Sequence, residues 1–346
     1  MTELIPAERA AFDGQAELSA DLRSWLPRRS SRAADWPLPR LMAAKGGTSI
    51  TVVVPARDEE STVGSIVRVI RQRLMREVPL VDELVVVDSC STDGTAGVAA
   101  AAGARVVRQD KVLGHLPVMS GKGEALWKGL AATSGDLVVF VDADVYGFTA
   151  DFITGLVGPL LMDPAVAYVK GFYHRPLVDG GHTVTDGGGR VTELVARPLL
   201  NLHWPQLAGF VQPLAGEYAG RREALEAVPF VTGYGVEVGL LVDLLELVGL
   251  DALAQVDLGQ RQHKHQDNEG LGRMSAQIML AALSRLDRQR QVIIANEPSP
   301  RLAQFRRGDP RVTGVEREIV VTDIAVPERP PLASLRTERL SEARPA

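Results

Sequence analysis

The chain has 346 residues, an apolar content of 45%, a single cysteine and a formal net charge of −5. This length allows one large domain or two smaller ones around a substantial core. The acidic balance excludes a chain-wide basic surface for nucleic acid, and the lone Cys90 excludes both an intramolecular disulfide framework and a cysteine-rich zinc site.

Residues 1–47 predict an N-terminal arm. Trp25 and Trp36 lie there among Arg, Pro and Ser residues. We expect an irregular segment that packs on the body of the protein. The alternative is a basic patch, formed by Arg23, Arg28, Arg29 and Arg32.

Residues 48–146 alternate short apolar runs with helical patterns. The predicted strands are residues 50–54, 83–87, 104–108 and 136–141, and the predicted helices are residues 59–73, 93–103 and 123–133. Strands that alternate with helices indicate a parallel sheet covered on both faces. Nearly continuous valine runs are typical of strands buried on both sides. We therefore predict an α/β fold whose first half is a nucleotide-binding unit.

The pattern changes after residue 146. The predicted elements are a strand over residues 166–172, a glycine-rich loop over 178–190 and helices over 192–201, 236–246 and 273–295. We assign residues 147–300 to an acceptor-binding and catalytic half. Residues 301–346 are assigned to a C-terminal strap or tail, because Pro and Arg recur there.

The sequence also predicts a cytoplasmic protein that does not insert into a membrane. Residues 1–15 lack the apolar core of a signal peptide, and a single cysteine fits a reducing compartment. The most apolar stretch, residues 236–253, contains Glu237, Asp243 and Glu246. It therefore predicts a buried amphipathic helix and not a membrane span.

Asp142 and Asp144 follow the predicted strand over residues 136–141. Residues two apart in a strand point to the same side, so both carboxylates should converge beyond its carboxyl end. Ligands bind at that edge in open α/β sheets. Oxygen ligands suit Mg²⁺ or Mn²⁺, which complete their shells with water and phosphate oxygens. For the pair alone, a strand cap or a turn is the alternative.

Polar residues also follow two other predicted strands. Residues 55–59 come after the first strand, and Ser89 comes after the second, where each can hold a base or a ribose. Lys122 lies between two glycines at a helix start, which favours a diphosphate although the segment is not a Walker A motif. Helix caps and an exposed lysine in a turn explain the same residues without a ligand.

Two later segments have residues suited to an anionic or sugar ligand. Gly189 and Arg190 precede a predicted helix with Thr192 in its first turn, a combination that can receive phosphate or carboxylate groups. Glu237 begins an otherwise apolar helix, whose N-terminus favours a negative charge. A mobile glycine loop and a helix-start carboxylate without a ligand are the alternatives.

These segments, in this order, resemble the GT-A fold of nucleotide-sugar glycosyltransferases. Three motifs occur at spacings similar to those of the glucosyl-3-phosphoglycerate synthases: Gly-Gly-Gly-Arg-Val-Thr-Glu-Leu at 187–194, Thr-Gly-Tyr-Gly-Val-Glu at 232–237 and His-Lys-His at 263–265. That actinobacterial family belongs to the retaining glycosyltransferases. The resemblance covers roughly residues 20–325.

The resemblance implies transfer of glucose from UDP-glucose to the 2-hydroxyl group of 3-phospho-D-glycerate, as a step in glucosylglycerate biosynthesis. It implies that the donor is bound by Pro55, Ala56, Arg57, Glu59, Ser89, Lys122, Asp142, Ala143 and Tyr234. The implied acceptor residues are Gly189, Arg190, Thr192 and His265. Asp144 and His263 would hold Mg²⁺ or Mn²⁺, and the implied catalytic residues are Glu237 and Asp144.

Other functions share parts of this pattern. A mannosyl-3-phosphoglycerate synthase that uses GDP-mannose and a polyprenyl-phosphate glycosyltransferase are the alternative enzymes. A nucleotide-binding protein without turnover is the alternative from another class. The resemblance further implies a homodimer.

Overall fold

The computed structural model describes residues 18–174, 177–179, 182–184, 189–261, 267–307 and 316–335. The helices of these residues are α1 (Ala20–Arg29), α2 (Leu38–Lys45), α3 (Val63–Val69), α4 (Thr95–Ala102), α5 (Lys122–Ala131), α6 (Asp151–Met162), α7 (Arg197–His203), α8 (Arg222–Glu226), α9 (Val236–Val248) and α10 (Asn268–Arg288). A π-helical segment, Ile70–Glu77, continues α3, and a shorter one, Thr192–Ala196, precedes α7.

The strands are β1 (Ser30–Arg32), β2 (Ile50–Ala56), β3 (Glu83–Asp88), β4 (Arg105–Arg108), β5 (Leu137–Phe140), β6 (Tyr168–His174), β7 (Leu177–Asp179), β8 (His182–Val184), β9 (Tyr218–Arg221), β10 (Phe230–Val231), β11 (Leu253–Gln260), β12 (Arg301–Arg307), β13 (Arg317–Asp323) and β14 (Glu328–Arg329). Eight of them form one sheet in the order β1-β11-β6-β9-β5-β2-β3-β4. β9 is antiparallel to β5 and β6, and the other neighbours are parallel.

The four strands predicted in the first half are confirmed as β2, β3, β4 and β5. Val52 and Val54 of β2 pack in one hydrophobic cluster, Val53 packs in the other, and all three are fully buried. Successive side chains of a strand point to opposite faces. A run of valines therefore supplies core to both faces of the sheet, as predicted.

The N-terminal arm packs on the body as predicted, but the prediction that it is irregular is wrong for residues 18–47. Leu22, Trp25 and Leu26 are the buried residues of α1, and Trp25 Nε1 donates a hydrogen bond to the Leu253 carbonyl oxygen at 2.9 Å. β1 then extends the main sheet beside β11. The spacing of the three apolar residues is helical, but Pro27 and the neighbouring arginines obscure it.

Two of the four arginines that could form a basic patch in the arm are neutralised by carboxylates of the body. Arg29 Nη1 lies 2.6 Å from Asp163 Oδ2, and Arg28 Nη2 lies 2.8 Å from Asp251 Oδ1. These two pairs join the arm to the loops after α6 and α9.

Two predicted helices have different ends in the structure. The helix predicted over residues 59–73 begins at Val63, because Asp58 lies in the left-handed region with φ of 56° and ends the preceding strand in a turn. The helix predicted over residues 273–295 is α10, which begins earlier because the Asp267 carboxylate caps its first turn. α6, β9 and β11 were not predicted from the sequence.

The C-terminal strap, defined here as residues 324–335, is joined to both halves of the protein. Arg329 is 3% exposed and donates two hydrogen bonds of 2.7 Å to the Glu124 carboxylate in α5. The Thr232 N–H donates to the Pro327 carbonyl oxygen at 2.9 Å. The strap therefore holds the start of α5 against the segment that leads into α9.

The start of α5 also lies against the backbone of β10, which predicts a large effect for one substitution. A Cβ atom on Gly123 would lie 1.7 Å from the Val231 carbonyl oxygen. We expect Gly123→Ala to lower the free energy of unfolding by about 2 kcal/mol or more, because overpacking displaces backbone. Urea denaturation measures this difference.

Gly97→Ala in α4 is the matched control, since no atom lies within 4 Å of its Cβ position. We expect it to raise the free energy of unfolding by about 0.5–1 kcal/mol, because alanine is the better helix former. Equal stability of Gly123→Ala and wild type would contradict the close contact with Val231.

The apolar stretch of the second half forms α9, whose residues 236–244 are buried, as predicted. Within the ranges that the structure describes, no helix combines the length and apolarity needed to cross a membrane.

Candidate active site

The ends of β2, β3 and β5 open into a cleft of about 1230 Å³. Every described residue that was predicted for the site lines this cleft. The first half contributes Pro55, Ala56, Arg57, Glu59, Ser89, Lys122, Asp142, Ala143 and Asp144, and the second half contributes Gly189, Arg190, Thr192, Tyr234 and Glu237. His263 and His265 lie outside the described residues.

The two carboxylates after β5 converge on one cation. Arg261 Nη2 lies 3.4 Å from Asp142 Oδ2 and 2.6 Å from Asp144 Oδ1. Gly216 leaves room for this arrangement, because a Cβ atom there would lie 2.0 Å from Asp142 Oδ2. A side chain at position 216 would therefore displace Asp142.

Lys122 is held between two carboxylates by the first turn of α5. Its Nζ lies 2.7 Å from Asp142 Oδ1 and 2.8 Å from Glu237 Oε1. Burial lowers the pKa of Lys122, but the charges of Asp142 and Glu237 outweigh burial and hold that pKa well above its usual value. Burial likewise raises the pKa of Asp142, yet Lys122 and Arg261 bring it down to about 2. Lys122 and Asp142 therefore stay charged at neutral pH.

Arg261, which follows β11, was not predicted as a site residue from the sequence. Arg261 is 4% exposed, its Nη1 lies 2.8 Å from Glu217 Oε1, and it also donates to the Tyr173 hydroxyl. Burial lowers the pKa of Arg261, but the nearby carboxylates, Glu217 first, raise it well above its usual value. The residue was missed because Gln255 and Asp257 interrupt the apolar pattern of β11.

Asp144 is the carboxylate of the pair that is more open to the cleft. Its side chain is 36% exposed, compared with 20% for Asp142. In the described ranges, no three His, Cys, Asp or Glu side chains form a metal cluster. One carboxylate facing a cleft still fits Mg²⁺ or Mn²⁺, because these ions bind through one or two carboxylates plus substrate phosphates.

The glycine-rich segment meets the cleft at Arg190. Gly189 has φ of 89°, a left-handed conformation that favours glycine. Arg190 Nη1 donates to Asn268 Oδ1 at 3.0 Å, which joins the segment to the start of α10. Thr192 is buried at the start of the π-helical segment before α7. A cation and a backbone turn therefore lie side by side at this end of the cleft.

A second lysine lies in the core behind the cleft. Lys170 in β6 is 1% exposed, and its Nζ has no hydrogen-bond partner among the described residues. This nitrogen lies 4.5 Å from the centroid of the Tyr218 ring. Burial lowers the pKa of Lys170 to about 7.

Because the pKa of Lys170 is lowered, we expect the free energy of unfolding to depend on pH through this residue. In the unfolded chain the lysine has its ordinary pKa of 10.5, so above pH 7 the unfolded state binds more protons than the folded state. The free energy of unfolding should therefore rise with pH from about 7 to 10 through this residue. We expect Lys170→Met to stabilise the protein at about pH 6 and to stabilise it less at about pH 9.5.

Urea denaturation at both pH values measures this difference between Lys170→Met and wild type. A difference that does not change with pH would show that Lys170 keeps its ordinary pKa in the folded state.

The sequence and fold match known glycosyltransferases. The family model described as Glycosyl transferase family 2 matches residues 51–185. A glucosyl-3-phosphoglycerate synthase of Mycolicibacterium paratuberculosis is 52% identical over 265 residues, which cover 76% of this chain and 80% of the relative. The chain belongs to the glucosyl-3-phosphoglycerate synthase family. This membership confirms the predicted glycosyltransferase class.

Solved structures of this group have the same fold. Mannosyl-3-phosphoglycerate synthase from Rubrobacter xylanophilus has a TM-score of 0.83 and 39% identity, covering 90% of this chain and 99% of the other. Glucosyl-3-phosphoglycerate synthase from Mycobacterium tuberculosis, in complex with Mn²⁺, UDP and glucosyl-3-phosphoglycerate, has a TM-score of 0.75 and 43% identity, covering 87% and 96%. The same enzyme was also solved with Mg²⁺ and UDP. The predicted GT-A fold is confirmed, whereas the roles of individual residues stay predictions.

Proposed function

We propose that the protein transfers glucose from UDP-glucose to the 2-hydroxyl group of 3-phospho-D-glycerate with retention, which yields glucosyl-3-phosphoglycerate. The main support for this proposal is the cleft in which Lys122 contacts both Asp142 and Glu237. Arg190 of the second half lines the same cleft. The Mycobacterium tuberculosis family member was solved with UDP and this product. One end of the cleft therefore holds the carboxylates and Lys122, which suits a sugar nucleotide. The other end holds Arg190, which suits an anionic acceptor.

The donor binds at the carboxyl ends of β2, β3 and β5. The nucleoside is held by Pro55, Ala56, Arg57, Glu59 and Ser89, and the diphosphate and sugar by Lys122, Asp142, Ala143 and Tyr234. The Lys122 ammonium stabilises the negative charge that develops on UDP as it leaves. Because Lys122 also contacts Glu237, it orients this carboxylate toward the sugar.

Asp144 and His263 are the residues that we assign to the divalent cation, Mg²⁺ or Mn²⁺. When bound, this cation neutralises charge on the diphosphate. Asp144 offers a carboxylate that is open to the cleft, as its exposure indicates. This exposure supports the catalytic role that we assign to Asp144.

The acceptor binds at the Arg190 end of the cleft. The guanidinium of Arg190, the hydroxyl of Thr192 and the backbone at Gly189 receive the phosphate and carboxylate groups. His265 is assigned to the same acceptor from the family resemblance alone. Fixing these groups places the 2-hydroxyl close to the anomeric carbon, which lowers the entropic cost of the reaction.

Arg190→Ala tests this acceptor site. We expect the KM for 3-phosphoglycerate to rise by about tenfold or more, because a charge-assisted hydrogen bond contributes about 1.5–3 kcal/mol. The KM for UDP-glucose should stay within about twofold of wild type. Arg28→Ala is the control, since this exposed arginine lies in the arm. An equal rise of both KM values would remove Arg190 from the phosphate site.

Mannosyl transfer from GDP-mannose is the second candidate function. The mannosyl-3-phosphoglycerate synthase structure has the higher TM-score of the two neighbours. Turnover of 3-phosphoglycerate with UDP-glucose and with GDP-mannose, each with and without Mg²⁺, distinguishes the two donors. NMR of the anomeric proton then reports the stereochemistry. A metal-dependent α-glucosyl product supports the proposal, and a preference for GDP-mannose would replace it.

We also propose that the protein is a cytoplasmic homodimer. The hairpin of β12 and β13 exposes an apolar face in which Phe305 and Ile319 are directly paired. These side chains are 67% and 63% exposed, and Val321 on the same face is 58% exposed. Such a face marks an interaction surface. Sedimentation equilibrium at micromolar concentration tests the dimer, and a monomer would exclude it.

A further inference from the structure

Gln109 connects a predicted base-binding residue to the loop before Lys122. It directly follows β4 and is 6% exposed. The Ser89 hydroxyl donates to Gln109 Oε1 at 2.7 Å, and Gln109 Nε2 donates to the Met119 carbonyl oxygen at 3.1 Å. Ser89, Gln109 and Met119 all line the cleft. The three groups therefore form a chain of hydrogen bonds along its wall.

The Met119 carbonyl oxygen decides which groups donate and which accept in this series of hydrogen bonds. A carbonyl oxygen only accepts hydrogen bonds, so the Gln109 amide must present its nitrogen to Met119 and its oxygen to Ser89. The opposite amide orientation would place two acceptor oxygens against each other. A serine hydroxyl has a single proton. Because this proton is used in the hydrogen bond to Gln109, the Ser89 hydroxyl can only accept a hydrogen bond from a ligand.

We propose that Gln109 is a positioning residue that makes Ser89 a hydrogen-bond acceptor toward the nucleobase, so that the cleft selects bases whose ring carries an N–H group. Uracil and guanine carry this group, whereas cytosine and adenine present a lone pair at the corresponding nitrogen. The inference rests on the proposed function, because it takes the Ser89 end of the cleft as the base site. It applies equally to UDP-glucose and GDP-mannose.

Calorimetric titration of the full chain with UDP and with CDP, in the presence of Mg²⁺, tests the proposal. The two nucleotides differ only in the pyrimidine ring. We expect UDP to bind wild type about 10- to 100-fold more tightly, because cytosine would set an acceptor against the Ser89 acceptor. Equal affinities would overturn the proposal.

Two variants distinguish the orientation of Ser89 from simple packing. Leucine has no acceptor, so in Gln109→Leu the Ser89 hydroxyl can rotate, and the preference for UDP should fall below about threefold. Glutamate keeps an oxygen facing Ser89, so Gln109→Glu should retain the ratio of UDP to CDP affinity. Its second oxygen faces the Met119 carbonyl oxygen, so both affinities should fall together. A purely structural role for Gln109 instead predicts weaker binding of both nucleotides at an unchanged ratio in Gln109→Leu, and that result would overturn the proposal.

Ser89→Ala checks that Ser89 itself contacts the base. Loss of the UDP preference in this variant supports the proposal, and an unchanged ratio of UDP to CDP affinity overturns it. The outcome is separable from that of the proposed function. If wild type binds GDP more tightly than UDP, UDP-glucose fails as the donor, and the ratio of GDP to ADP affinity then tests Gln109 through the same variants.

Discussion

Lys122→Met should lower kcat/KM for UDP-glucose by about 10² to 10³, the effect of removing one group that stabilises transition-state charge. Lys122 is the cation between Asp142 and Glu237, at 2.7 and 2.8 Å. Without it, two carboxylates face each other across the cleft, and under the proposed function the leaving UDP loses a positive partner. Steady-state kinetics with varied UDP-glucose measures the loss.

Lys111→Met is the matched control, because this lysine follows β4 and its side chain is 74% exposed. The thermal melting temperature of Lys122→Met shows whether this variant loses activity only through misfolding. We expect a correctly folded Lys122→Met protein that melts near wild type and still has a low kcat/KM. A Lys122→Met enzyme with near wild-type kcat/KM would exclude the assigned role.

Arg261→Met should lower the free energy of unfolding by about 3–5 kcal/mol, because it leaves buried carboxylates without their cation. Glu217 is fully buried, and Arg261 Nη1 lies 2.8 Å from its Oε1. Asp142 and Asp144 lose the same guanidinium. Urea denaturation at neutral pH measures the change.

Arg28→Met provides the comparison for an exposed ion pair. The side chains of Arg28 and its partner Asp251 are 50% and 72% exposed. Such pairs contribute about 0–1 kcal/mol, so this variant should be nearly as stable as wild type. If both arginine variants lost the same free energy of unfolding, the ion pairs of Arg261 would contribute no more to stability than an exposed ion pair does.

Local patterns predicted the half of the site that lies at the ends of the parallel strands. The valine run of β2 and the carboxylates after β5 both follow from strand periodicity, and the structure places Asp142 and Asp144 together. Arg261 depends instead on β11, a strand whose pattern is interrupted by Gln255. The buried amide of Gln255 has partners for both of its ends. Its nitrogen donates hydrogen bonds to Ser30 Oγ and the Gly209 carbonyl oxygen, and its oxygen accepts one from the Val211 N–H.

Contacts between distant segments were beyond the reach of sequence patterns. Gln109 is an ordinary polar residue after a short strand, and only the fold brings it to Ser89 and Met119. The N-terminal helix was missed partly for the same reason. Its apolar stripe is narrow, and its burial is decided by Trp25 packing against distant parts of the chain, among them Phe210.

The strap has a consequence for the order of events during synthesis of the chain. Glu124 is 1% exposed, and both of its carboxylate oxygens accept hydrogen bonds from Arg329, 205 positions later. While the ribosome is still adding the last segments, the helix that carries Lys122 lacks this partner. We therefore expect a chain stopped after residue 323 to leave Glu124 with Lys128 as its cation, at 3.9 Å from Nζ to Oε1, and the start of α5 to be fixed in place only once Arg329 has been added.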